Sequence, residues 1–185
     1  SKKDNRDKSS FTIGHIGRFV KTKNHSFLLK IFQSISKNCP EAKLILVGDG
    51  PLLKHAEHWT RENHFEEQIE FTYLKEDIAQ QMSRFDVFCM PSLYEGLPLV
   101  LVEAQAVGVP CVIADTISVE SNLTNSVSFL PLTIPVDAWA TKLLQYRGHP
   151  RLDNHLILAE KGYSIEIEAH RLQCLYCNYI DEFVC

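Results

Sequence analysis

No apolar run in this sequence reaches the ~18 residues that a membrane-spanning helix needs. The opening stretch, Ser1 to Ser10, is polar and charged and does not read as a secretory leader. Basic residues do not dominate: 19 Lys and Arg face 23 Asp and Glu, a net charge of −4, so nothing electrostatic favours nucleic acid as the main partner. No GxGxxG follows a first strand, no GxxxxGK[ST] is present, and no GxSxG occurs. These absences remove a dinucleotide fingerprint, a phosphate-binding P-loop and a serine nucleophile elbow. There is also no Asp-x-Asp pair to chelate a metal, so neither metal nor cofactor is expected.

Six cysteines are present, but they do not form a framework. Cys89 and Cys111 sit inside apolar strand-like runs and read as small core residues. Cys174 and Cys177 make a CxxC in a helical pattern, with no second Cys or His pair at zinc spacing. Ordinary thiols of this kind point to a reducing, cytosolic compartment. Hydrophobic residues make up 45% and charged residues 23%, the balance of a globular chain, and 185 residues suffice for one domain with a sizeable core. The first ten residues read as a linker or frayed start, with one domain over residues 11–185. The chain begins without Met, which fits an excerpt of something longer.

Strand and helix patterns alternate, which predicts an α/β fold with an open, mostly parallel Rossmann-like sheet and helices on both faces. Strands are expected over Phe11–Ile16, Lys43–Val47, Gln68–Thr72, Asp86–Met90 and Pro110–Ala114, with a possible edge strand over Ser126–Leu130. Asn24 is expected to cap a helix whose Phe27, Leu28, Ile31, Phe32 and Ile35 form one stripe ending before Pro40. Further helices are expected over Leu52–Asn63, Asp77–Arg84, Leu99–Val107, Pro135–Tyr146, Pro150–Lys161 and Ser164–Phe183.

The segment from Pro91 to Pro110 is the most informative. It places Glu95 before a Gly96-Leu97-Pro98 turn and Glu103 inside the apolar run that follows. Pro98 suits the first turn of a helix, where a missing N–H costs nothing. A carboxylate inside a buried helix needs a partner, because an unpaired buried charge is costly. The uncapped N-terminus beside the turn offers N–H groups and the positive end of the dipole to phosphate or sugar oxygens. These features predict a pocket for a polyhydroxylated, phosphorylated ligand.

Other unusual loops fall at the carboxyl ends of predicted strands, where open α/β sheets bind ligands. Arg18 follows the first strand and Lys23 precedes Asn24. The pair either clamps a diphosphate, fork and point charge together, or is simply two solvated charges. Gly48-Asp49-Gly50 either lets backbone approach a ligand or makes the turn before Pro51. The eight histidines are scattered; His15 sits in the first strand, and all are given surface or structural roles.

In these residues the chain resembles the donor half of glycosyltransferase family 4, retaining enzymes of GT-B architecture, and most of all those that build capsular or other surface polysaccharides. The resemblance runs from Phe11 to Phe183. It rests on Glu95-x7-Glu103 within Pro91-Ser-x-x-Glu-Gly-Leu-Pro, on Gly17-Arg18-Phe19 with Lys23-Asn24-His25, on Val47-Gly48-Asp49-Gly50-Pro51, and on Asp86-Val87. It implies that Arg18 and Lys23 hold the donor diphosphate and steady the leaving phosphate, and that Glu95 takes donor-sugar hydroxyls. It further implies that the backbone of Gly17, Gly96, Leu97, Pro98 and Leu99 lines the donor, that Glu103 accepts from the ribose, and that the base, by family habit uracil, lies near Tyr73, Leu74 and Lys75.

Tyr73 departs from the glycine common at that place in the family. The expected partners are a nucleotide-sugar donor and, through an N-terminal acceptor domain not in this sequence, a saccharide or lipid-linked acceptor. No nucleic acid is expected. The full-length enzyme is expected in the cytoplasm, with possible peripheral contact to the membrane. Two alternatives stand beside this reading: a GT-B-like sugar-nucleotide epimerase, and a domain that keeps the fold for protein interaction.

Overall fold

The structure, a computed structural model, describes residues 10–73, 77–164 and 167–174. Six strands form one sheet: β1 (Phe11–Ile16), β2 (Ala42–Val47), β3 (Ile69–Thr72), β4 (Val87–Met90), β5 (Cys111–Ala114) and β6 (Val127–Leu130). Their order is β3-β2-β1-β4-β5-β6 and every pairing is parallel. The connecting helices are α1 (His25–Asn38), α2 (Leu53–Glu62), α3 (Ile78–Met82), α4 (Leu99–Ala106), α5 (Val136–Leu144) and α6 (His155–Glu160).

Period-two alternation sends strand side chains into two separate cores. Phe11, Ile13, Leu44, Leu46, Cys89 and Val112 face one way, onto Leu28, Ile31, Phe32 and Ile35 of α1 and Trp139 and Leu143 of α5. Ile45, Val47, Phe88, Met90, Cys111 and Ile113 face the other way, onto Met82 of α3 and Leu101 and Ala104 of α4. The predicted three-layer α/β fold is therefore present, with helices on both faces. Each buried Leu, Ile or Phe contributes about 1.5–3 kcal/mol, so both layers are firmly held.

Two expected helix starts differ. Asn24 does not cap α1 with its side chain; its backbone is left-handed, φ 56°, and its amide instead donates to Pro91 O at 3.1 Å. The helix expected from Pro150 begins only at His155. Upstream, the Arg151 guanidinium is engaged with the carbonyls of Met82, Ser83 and Phe85, which holds that stretch out of helical geometry. Of the last expected helix Ser164 and residues 167–174 are described; 167–174 are helical and Ser164 is not. Cys177 lies outside the described residues.

From β1 the chain crosses to one side of the sheet, and from β4 to the other. The crevice between their carboxyl ends is the topological switch point, where ligands enter open α/β sheets.

Candidate functional site

Backbone hydrogen bonds stitch the loops at this edge together. Gly17 N donates to Val47 O at 2.9 Å, Phe19 N to Asp49 O at 2.8 Å and Leu52 N to Phe19 O at 3.0 Å. The approach is close: a Cβ on Gly48, φ 155°, would lie 2.1 Å from Gly17 O. Gly48 thus serves the packing of one loop on another, a role beside the two read from the sequence.

The loop after β4 is tied to the loop after β1 in the same manner. Leu93 N donates to Thr22 O at 2.7 Å and Asn24 holds Pro91 as described, while Thr116 Oγ1, from the loop after β5, donates to Ser92 O at 2.8 Å. These ties bring two predicted site residues into contact. Lys23, at the end of a 3-10 turn (Lys21–Lys23), donates through Nζ to Glu95 Oε1 at 2.6 Å. Their side chains are only 17% and 13% exposed. Desolvation makes such a pair stronger than a surface ion pair and makes either partner costly to leave alone.

Around this pair Pro98 is buried and Gly17 half-buried, while the other predicted residues that are described are accessible. Arg18 and Gly96 are exposed, and Leu97 and Leu99 are 52% and 70% exposed. A Cβ on Gly96 would meet nothing within 4 Å. Pro98 stands at the N-terminus of α4 with no side-chain cap. Since proline has no N–H, the donors this helix start can offer come from its neighbours. Tyr73 is 57% exposed; Leu74 and Lys75 lie outside the described residues.

Glu103 requires a correction. It lies on the exposed side of α4, one turn beyond Leu99, so burial gives it no need for a ligand. Nearby protein still removes enough water to raise its carboxyl above the usual value. The buried polar residue of this helix is Gln105, fully covered. Its Oε1 accepts from Leu123 N at 2.8 Å, Thr124 N at 3.1 Å and Thr124 Oγ1 at 3.1 Å. Its Nε2 donates to Leu101 O at 3.1 Å and Ser121 O at 2.9 Å. Gln105 is the hub that fixes the loop after β5 against α4, a role that needed the remote loop to be seen.

His25, read from the sequence as a surface or structural residue, is buried beneath the site together with His15. His15 has the parity of Phe11 and Ile13, so it points towards α1. Its ring meets His25 edge-on, centroids 4.8 Å apart, and His25 stacks on Phe19 at 4.0 Å. Burial first, with Lys23 nearby, pushes the His15 imidazole down to about 4 despite its bond to Cys89. Burial, then His15 and Lys23, push His25 to about 2. Both are therefore neutral at physiological pH.

A cavity of about 430 Å³ opens beside the site between α1 and α2, lined by Lys21, Asn24, His25, Leu52, Trp59 and Leu93 among others. None of the predicted donor residues lines it. Its walls are mainly apolar, and it lacks the paired charges that a diphosphate requires. Among the described residues no group of three or more His, Cys, Asp or Glu side chains gathers as a metal site, and no helix is long and apolar enough to cross a membrane.

The family model for glycosyl transferases group 1 matches residues 1–145. The chain belongs to this family. EpsF of Bacillus subtilis (strain 168), named a glycosyltransferase, is 40% identical over 169 residues, 89% of this chain and 44% of EpsF. Among solved structures, S. aureus TarM, crystallised with UDP, aligns over 89% of this chain and 35% of its own with a TM-score of 0.73 at 21% identity. Anabaena Alr3699/HepE, also in complex with UDP, gives 0.70 at 18% identity over 91% of this chain and 49% of its own. At these identities the two structures establish a GT-B-type fold for this group 1 domain. The chain spans less than half the length of the curated relatives it matches.

Proposed function

We propose that this group 1 domain is the donor-binding half of a retaining glycosyltransferase that moves a sugar from a UDP-sugar to a polysaccharide or lipid-linked acceptor. The contact of Lys23 with Glu95 at the switch point carries this reading. It puts a cation suited to phosphate and a carboxylate suited to hydroxyls side by side, next to an uncapped helix start. The acceptor then belongs to an N-terminal domain, residues 11–185 form the donor domain, and the domain alone binds donor without turnover. Support for UDP comes from relatives: TarM and HepE were crystallised with it, and an Escherichia coli relative, 29% identical over 111 residues, is named a UDP-Gal-dependent galactosyltransferase.

In this reading Arg18 and Lys23 hold the diphosphate and stabilise the negative charge that develops as the sugar leaves. Cations placed in advance, Lys23 largely shielded from water and Arg18 at the exposed rim, favour that transition state more than the ground state. Glu95 accepts from hydroxyls of the donor sugar. Glu103, out on the exposed side of α4, accepts from the ribose, while Gly17, Gly96, Leu97, Pro98 and Leu99 line the path between. Tyr73 flanks the base. The reading assigns no metal, since the two cations supply the charge.

Titration calorimetry with UDP, GDP and ADP tests it. UDP is expected to bind best, and Arg18→Ala and Lys23→Ala each to weaken it about tenfold or more, as for lost charge-assisted hydrogen bonds. Absence of millimolar binding by all three nucleotides, with no effect of Arg18→Ala, refutes the reading.

A further inference from the structure

His15 carries information beyond packing. Its Nδ1 lies 2.8 Å from Cys89 O, and a carbonyl can only accept. Nδ1 must therefore hold the proton, and in the neutral ring Nε2 is left as a lone-pair acceptor. That acceptor is fully buried and has no partner among the protein's atoms. Four of the five such orphan side-chain atoms among the described residues belong to His15, His25 and Ser92. Their concentration at the donor crevice calls for a local explanation rather than random imperfection.

The position of Nε2 supplies one. A Cβ placed on Gly17 would lie 3.2 Å from His15 Nε2 and 3.3 Å from both Cδ and Cε of Lys23. The imidazole and the lysine stem thus both lie close against the same bare glycine. An ammonium has three donors and no acceptor, and Lys23 commits one of them to Glu95. Held neutral, His15 does not repel the ammonium. The edge contact with His25 and the near-parallel Phe88, centroid 6.1 Å away, keep the ring from turning.

We propose that His15 is a positioning residue for the donor phosphates: its Nε2 accepts a hydrogen bond from the Lys23 ammonium when an incoming diphosphate draws that ammonium from Glu95. The proposal rests on the donor-binding reading above. It gives Lys23 two resting places, Glu95 in the empty crevice and His15 in the loaded one, and makes Gly17 the window between them.

The test is imidazole long-range ¹H–¹⁵N NMR of this chain during titration with UDP. The free protein is expected to show the Nδ1-protonated tautomer at His15. UDP is expected to shift the Nε2 resonance in the manner of an acquired hydrogen bond, and Lys23→Met to abolish that shift. Calorimetry adds a second readout. Asn at position 15 keeps a donor for Cys89 O but loses the far acceptor, whereas Gln restores an acceptor at the reach of Nε2. Thus His15→Asn is expected to weaken UDP about tenfold and His15→Gln by about twofold or less. UDP binding that depends on Lys23 while Nε2 stays unmoved, or unchanged binding by His15→Asn, overturns the proposal and leaves the donor reading intact. No UDP binding at all overturns both.

Discussion

Lys23 and Glu95, separated by 72 residues of sequence, meet at 2.6 Å across the switch point of the sheet. Each is expected to serve a different part of the donor, yet here they neutralise one another. A donor diphosphate must therefore compete with Glu95 for the ammonium. The two residues should respond to mutation with opposite signs. Glu95→Gln frees Lys23 and is expected to tighten bare UDP several-fold, by about 0.5–1.5 kcal/mol, as the lost competition for one charge-assisted bond. Lys23→Ala is expected to weaken UDP. Calorimetry on both variants checks this; weaker UDP binding by Glu95→Gln would refute the competition.

Acid stability reports on the histidine pair. The ordinary imidazole value is 6.5, while burial holds His15 at about 4 and His25 at about 2. Below 6.5 the unfolded chain binds protons that the native state refuses, so stability falls as pH falls. Each histidine is expected to contribute about 1.4 kcal/mol per pH unit, well below 6.5 and until its folded value is reached. Urea unfolding between pH 6.5 and 5 measures the slope. His25→Phe keeps a ring against Phe19 and should remove about half of the histidine contribution; an unchanged slope would contradict buried neutrality.

Glu103 separates stability from binding. Partial loss of solvent raises its carboxyl, so its favourable contribution is full below the ordinary 4.5 and is lost as pH rises through the folded value. At neutral pH the charged form is therefore a small burden, and Glu103→Gln should melt no lower than the parent. The same substitution is expected to weaken UDP about tenfold, by removing a charged acceptor for ribose hydroxyls. Calorimetry with UDP beside thermal melts at pH 7 decides; equal affinity would remove Glu103 from the ribose.

Gln105 should be more sensitive than any residue of the site. Replacing it with Leu strands the Leu123 and Thr124 amides that its carbonyl satisfies. Each buried orphan costs about 1–3 kcal/mol, so a loss of about 3 kcal/mol is expected in urea unfolding. A loss below 1 kcal/mol would mean that the 121–124 loop finds other partners.

Much of the fold was legible because its signals are local. Short apolar runs in Lys43–Val47 and Asp86–Met90 placed those strands to within one residue of β2 and β4. The Leu28, Ile31, Phe32, Ile35 stripe placed α1. Capping was less legible, for one physical reason: the side chains of Asn24 and Asn154 are taken by distant carbonyls, Pro91 O and Gln105 O. Donating Nδ2 to a distant carbonyl turns each side chain away from the helix N–H groups that its Oδ1 would otherwise accept from. The same distance hid Gln105, whose partners in the loop after β5 lie 16 to 19 residues onward.

The site divides along the same line. The sequence by itself determined which residues crowd the carboxyl edge of the sheet, because strand ends and turn residues are written in short patterns. It named Arg18, Lys23, Glu95 and Glu103, but gave Glu103 the wrong reason by treating an apolar run as buried on all sides. Only the tertiary structure decided that Lys23 and Glu95 are paired, that Glu103 faces outward, and that two neutral histidines lie beneath the lysine. The pairing depends on how the loops after β1 and β4 are tied across the switch point, and the outward face of Glu103 on how Leu101 and Ala104 of α4 pack into the core. Contacts between segments more than seventy residues apart leave no periodicity to read.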